Sequence, residues 1–242
     1  LPIDWSAPLY ELDDGTKNWY TRKKDPSTIC VHWGGLNTRH CYNVFNLARG
    51  RHVSSHFLIG RNHKTGEYEI LQCLDTGLAA YHAGKFNKHS IGIEISNPGH
   101  NNNYKKFSKK QTNSILKLSK FLIKKYNIKP TFILGHSDIA PIRKKDPGEK
   151  FPWEYLSKRK VGCWHKIKKK NLINNRLKII EEFEKKIFIK NLYKIGYSNF
   201  SHKSGDNHLK FLIKAFQRRF RQELINGIAD KECLNISKSL VK

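Results

Sequence analysis

The chain has 242 residues, with 46 Lys and Arg against 20 Asp and Glu and a formal net charge of +26. Its 38% hydrophobic and 12% aromatic content argues against disorder, and its length suits one sizeable core or two small ones. No apolar run approaches the roughly 20 residues that span a bilayer. The five cysteines form no Cys-x-x-Cys pair, which argues against a disulfide framework and a cysteine zinc finger.

Residues 1–26 read as an extended lead-in ending in the basic turn Arg22 to Pro26. Ser27 to Trp33 is β-branched and apolar, as a buried strand is. Arg39 to Leu47 reads as a short helix. Ser55 to Gly60 and Tyr68 to Cys73 read as two strands of a hairpin, with Asn62 to Gly66 as the turn. Asp75 to Asn87 carries too many glycines for a helix and reads as loop. In Ser90 to Ser96 the isoleucines alternate with Gly92, Glu94 and Ser96, so Glu94 faces away from them. Ser108 caps a helix running to Tyr126, striped by Ile115, Leu118, Leu122 and Ile123.

Thr131 to Leu134 reads as another buried strand. It opens into Gly135 to Trp153, where Pro141, Pro147 and Pro152 disfavour a continuous helix. That loop carries His136, Lys144 and Asp146. Beyond about residue 165 the pattern turns helical: Leu172 to Tyr193, His208 to Leu224, and a shorter stretch within Asp230 to Leu240. The expected fold is α/β, a mixed central β-sheet flanked by helices, plus a small all-helical C-terminal domain. The expected divisions are 1–26, 27–165 and 172–242.

His32 and His136 both sit at strand ends and can converge above one sheet edge, with Asp146 following. Two imidazoles and a carboxylate suit zinc with a fourth position open for water. Glu94 is then a candidate general base, and Lys144 a candidate oxyanion stabiliser. Each residue has a plainer reading, as a structural histidine, a solvent-facing carboxylate or one surface lysine among many. His56 reads as a structural, hydrogen-bonded histidine. His82 reads as lining a cleft, Asn87 as touching substrate or making a turn, and Arg143 as pairing with a substrate carboxylate or solvated. The positive charge suits a polyanionic partner or simply a soluble surface.

Five phrases occur in order: VHWGG (31–35), VSSHFLIG (53–60), AAYHAG (79–84), SIGIEISNPG (90–99) and GHSDIAPIRKKDPG (135–148). Together, across residues 27 to about 156, they resemble the zinc-dependent N-acetylmuramoyl-L-alanine amidases of the AmpD/AmiD-like group, relatives of peptidoglycan recognition proteins. The resemblance implies Zn2+ on His32, His136 and Asp146, with Glu94 and Lys144 in catalysis. It implies cleavage of the amide between N-acetylmuramic acid, or its 1,6-anhydro form, and L-alanine. Trp33, His82, Asn87 and Arg143 are the expected substrate contacts. Tyr81 stands where the family usually has Trp, and Trp33-Gly34-Gly35 replaces its usual aromatic and small polar residues.

The tail, through Leu192 to Tyr197 and Ala215 to Phe220, resembles a three-helix peptidoglycan-binding domain without its usual Asp-Gly signature. Its stripes also fit packing or a homodimer. The expected partner is peptidoglycan or a muropeptide, with no nucleic acid, since no base-reading basic helix is evident. A non-catalytic peptidoglycan-binding protein is the rival reading. The chain starts at Leu1 and lacks Met, as a processed form does. With the tail, this favours the bacterial periplasm over the cytoplasm.

Overall fold

The computed structural model describes residues 3–4, 17–34, 38–47, 52–62, 64–198 and 205–241. The chain divides into two compact units, Leu1–Lys129 and Pro130–Lys242. Most of the lead-in, Gly35 of the first motif, and part of the loop between the first and second expected tail segments lie outside the described residues.

The first unit contains β1 (Ile3–Asp4), β2 (Trp19–Thr21), β3 (Thr28–Trp33), α1 (Thr38–Leu47), β4 (Phe57–Arg61), β5 (Tyr68–Gln72), β6 (Leu78–Ala80), β7 (Ser90–Ile95) and α2 (Lys109–Tyr126). Its main sheet is mixed, in the order β1-β5-β4-β7-β3. β3 and β4 run parallel to β7, and β5 runs antiparallel to β4. β3, β4 and β7 are almost wholly buried, which is why β3 and β4 read as largely apolar runs, while β7 alternates isoleucines with small residues and Glu94. On one face, Leu58 packs with Cys41 and Phe45 of α1.

β6 and the 3-10 turn Gly84–His89 occupy the stretch expected to be loop. β6 forms because β2 pairs with it, Trp19 opposite Ala80. Arg22, expected to open a basic turn, is buried, and its Nε donates to the Leu78 carbonyl at 2.8 Å. α2 begins at Ser108 with a reciprocal capping box to Gln111 and ends at Asn127 in the left-handed conformation.

The second unit contains β8 (Ile133–Gly135), α3 (His136–Ile139), α4 (Trp153–Ser157), α5 (Lys169–Ile173), α6 (Glu182–Lys194), α7 (Gly205–Phe220) and α8 (Lys231–Leu240). The single helix expected over 172–193 is broken in two. Leu177 adopts φ +62°, its N–H is taken by Asp230 Oδ2 at 3.0 Å, and Ile179 forms a bridge to Asp230. Glu181 then starts α6 with its own capping box. The tail core gathers Phe188 and Leu192 of α6, Leu212 and Phe216 of α7, and Leu234 and Ile236 of α8.

Candidate functional site

In the first unit the site is built by register. Parallel pairing sets His32 of β3 directly opposite Glu94 of β7, and Cys30 opposite Gly92. Paired residues on adjacent strands point to the same face, so these four share one side of the sheet. His32 is 2% exposed, and its Nδ1 lies 3.9 Å from Glu94 Oε1. Gly34 makes room for that carboxylate. A Cβ there would sit 3.2 Å from Glu94 Oε2 and 2.5 Å from Cys41 Sγ.

His82, expected to line a cleft, and Asn87, expected to touch substrate or make a turn, are both buried. His82 Nδ1 meets His32 Nε2 at 2.9 Å, and its Nε2 meets Ser90 Oγ at 3.1 Å. Asn87 Oδ1 accepts from the backbone N–H groups of His82 and Ala83, at 3.1 and 2.6 Å. It therefore shapes the loop that holds His82. Ligand atoms of Cys30, His32 and His82 lie within 4.8 Å of one another, a group able to hold a metal ion.

His56 is fully buried. Its Nδ1 accepts from Gly92 N–H at 3.0 Å, and its Nε2 faces the Leu78 carbonyl at 3.0 Å. Burial pushes its pKa down to about 3, so the ring stays neutral. Trp33 is partly exposed. Its ring lies 6.1 Å from that of His100 and leaves no space for a Cβ at Gly99.

In the second unit β8 runs straight into α3, a single helical turn placed before the first proline of the loop. His136 begins it, and Asp138 Oδ2 caps it by accepting from Gly135 N–H at 2.8 Å. The chain then doubles back so that Asp146 O accepts from Ser137 N–H at 2.8 Å. This brings Asp146 Oδ2 to 3.1 Å from His136 Nδ1, both side chains buried. Two ligands sharing one ion, with bonds of roughly 2.0–2.2 Å and near-tetrahedral angles, have donor atoms roughly 3.3 Å apart. The pair has nearly that spacing, so the donor set fits a metal. The Asp146–Pro147 peptide is cis, and a Cβ on Gly135 would approach Pro147 Cδ to 2.6 Å. Lys144 is half-buried on the same loop, its N–H donating to Ala140 O at 3.0 Å, and Arg143 is exposed.

Two residues that support this loop escaped the sequence reading. Arg219 of α7 donates to Asp138 Oδ2 at 3.0 Å, with both side chains 2% exposed, and its guanidinium stacks 4.1 Å from the Trp153 ring. Ser198 N–H donates to Asp138 O at 3.1 Å. Desolvation raises the Asp138 pKa, and Arg219 opposes that shift. The only sequence signal was the Asp of Gly-His-Ser-Asp. Its partner lies 81 residues away.

A family model described as N-acetylmuramoyl-L-alanine amidase matches residues 22–149. The chain is 30% identical over 207 residues to N-acetylmuramoyl-L-alanine amidase AmiD of Escherichia coli, spanning 79% of this chain and 75% of that one. It is 38% identical over 115 residues to the 1,6-anhydro-N-acetylmuramyl-L-alanine amidase AmpD of Haemophilus influenzae, spanning 43% and 58%. Among solved structures, E. coli AmiD with the substrate anhydro-N-acetylmuramic acid-L-Ala-D-gamma-Glu-L-Lys aligns with a TM-score of 0.77 at 28% identity, over 91% of both chains. AmpDH3 from Pseudomonas aeruginosa, in complex with anhydromuramic pentapeptide, aligns at 0.77 and 26% identity, over 99% of this chain and 97% of that one. These two likenesses extend through the helical tail; the AmpD match covers less than half of the chain.

Proposed function

Because this chain belongs to the N-acetylmuramoyl-L-alanine amidase family, we propose that His32, His136 and Asp146 hold one zinc ion beside Glu94 and Lys144, which carry the hydrolysis. The chain is an amidase of peptidoglycan or muropeptides. The observation that carries the residue assignment is His32 set opposite Glu94 in register: a ligand-type imidazole with a carboxylate 3.9 Å from its Nδ1. The buried His136–Asp146 pair supplies donors of the same hard and borderline kind.

When bound, zinc supplies Lewis-acid polarisation of the scissile carbonyl and acidifies water. Glu94 takes a proton from the attacking water as its oxygen bonds to the lactyl carbonyl carbon. Glu94 then delivers that proton to the nitrogen of L-alanine as the C–N bond breaks, so one carboxylate serves as base and then as acid. The Lys144 ammonium stabilises the oxyanion that develops between these steps. Trp33 packs against the substrate, and exposed Arg143 meets a carboxylate of the stem peptide.

The preferred substrate carries the 1,6-anhydro form of the sugar, in keeping with the anhydro-N-acetylmuramic acid peptide named with AmiD and the anhydromuramic pentapeptide named with AmpDH3. The helical tail binds the wall polymer, and the net charge of +26 suits that anionic surface. The site of action is then the envelope, on its periplasmic side. Fractionation of cells producing the full-length protein checks this, and recovery in the cytosol alone would oppose it.

The decisive experiment is digestion of anhydro-muropeptide and of intact sacculi, with and without chelator, read by mass spectrometry. Free stem peptide is expected only when zinc is present. Glu94→Ala is expected to lose about 10²- to 10⁴-fold in rate while remaining folded. Full turnover by a zinc-free preparation would overturn the mechanism.

A further inference from the structure

Behind His32 lies a chain of hydrogen bonds whose polarity is set at its far end. Ser90 Oγ lies 2.7 Å from the Phe86 carbonyl, which can only accept, so the single hydroxyl proton of Ser90 is spent there. The oxygen of Ser90 must then accept from His82 Nε2, 3.1 Å away. A neutral His82 with its proton on Nε2 has a lone pair on Nδ1. That lone pair faces His32 Nε2 at 2.9 Å, so His32 is the donor in this bond. Neutral His32 then carries no proton on Nδ1, the nitrogen on the Glu94 side of the ring.

The chain is built into the fold. The His82 ring stands perpendicular to those of His32 and His56, at interplanar angles of 81° and 86°. It lies in a slot that exists because residue 92 is glycine. A Cβ there would stand 2.8 Å from His82 Cγ and 2.9 Å from Nδ1. Asn87 grips the backbone at His82 and Ala83, and Ser90 is fully buried.

We propose that His82 is a positioning residue: with Ser90 and the Phe86 carbonyl, it holds His32 as the Nε2–H tautomer, so that Nδ1 is presented as the metal-binding lone pair. The proposal rests on the assignment of His32 as a ligand, and it takes His82 out of the substrate-contact set. A histidine ligand must offer an unprotonated nitrogen, and tautomers interconvert freely in an unconstrained ring. The relay removes that freedom before the metal arrives. It also argues against an ion shared by Cys30, His32 and His82, because both His82 nitrogens are then engaged, Nδ1 by His32 and Nε2 by Ser90.

Long-range proton–nitrogen NMR on metal-free, nitrogen-15 histidine-labelled protein reads the tautomers directly. His32 and His82 are both expected to be protonated on Nε2 and not on Nδ1. Ser90→Ala removes the terminal acceptor and is expected to mix the tautomers of both rings. Zinc affinity, measured by competition with a chromophoric chelator, is expected to fall roughly 10- to 100-fold in His82→Phe. His82→Gln, whose amide oxygen can accept from His32, is expected to recover part of that loss.

A proton on His32 Nδ1 in the wild-type protein would overturn the proposal. So would wild-type zinc affinity in folded His82→Phe, or a thiolate charge-transfer band on cobalt(II) substitution, which would put Cys30 on the ion. If His82→Phe fails to fold, the wild-type NMR assignment decides alone. Wild-type protein with the expected tautomers but no zinc affinity would defeat the metal assignment and leave the relay standing.

Discussion

At the scale of single residues, Gly34 shows how little space is left beside the Glu94 carboxylate. An alanine methyl there would press on Glu94 Oε2 and drive against Cys41 Sγ, which itself donates to the Gly34 carbonyl. Gly34→Ala is therefore expected to lower kcat by about tenfold or more while KM changes less, a split that steady-state kinetics on anhydro-muropeptide resolves. His56 gives a pH signature. Its folded pKa of about 3 lies below the ordinary 6.5, so the unfolded chain binds the extra proton first as pH falls. Stability is therefore lost between about pH 6.5 and 3, by about 2 kcal/mol at pH 5 relative to pH 7. His56→Asn keeps an acceptor for Gly92 N–H and is expected to flatten that slope in denaturant titrations across pH. His32, Glu94, His136 and Asp146 could be named as candidates because each lies in a phrase that carries the family resemblance. Ser90 could not, because its role depends on which carbonyl its hydroxyl reaches.

Among the elements, β3, β4, β7 and α2 were legible because their signals are local: β-branched runs, period-2 alternation, a serine cap. The elements misread were those decided by partners far along the chain. β6 forms because β2 lies beside it, and the helix expected through 172–193 breaks because Asp230 captures the Leu177 amide. The one-turn helix α3 was hidden by the prolines, which follow it. Its stability is owed to Asp138, whose carboxylate caps the turn from inside and is neutralised by Arg219. Arg219→Ala leaves a buried carboxylate uncompensated and is expected to cost about 3–5 kcal/mol in denaturant unfolding. Adding Asp138→Asn, which removes the charge while keeping an oxygen for Gly135 N–H, is expected to restore part of that loss. Full additivity of the two changes would show that the pair is not coupled.

At the scale of the whole molecule, a charge of +26 is expected to act on association rather than on chemistry. Retention on purified sacculi is expected to weaken as salt rises from about 50 to 500 mM, as the Debye length shrinks to a few ångströms. Turnover of a small soluble anhydro-muropeptide is expected to change far less, and equal salt sensitivity in both assays would argue against a surface-wide attraction. Composition announced the charge but not its purpose, and the helical stripes announced a tail but not its attachment. That attachment restricts how the chain can be altered. Arg219 and Gln222 reach from the tail to Asp138 and to the Phe151 carbonyl, so the loop bearing His136 and Asp146 is partly encoded seventy to eighty residues downstream of itself. A chain cut after residue 171 would not be a smaller version of the same protein, but one with the turn that carries His136 and Asp146 left unsupported. Exchanging tails between relatives should succeed only where the incoming helix carries a cation to that same buried carboxylate.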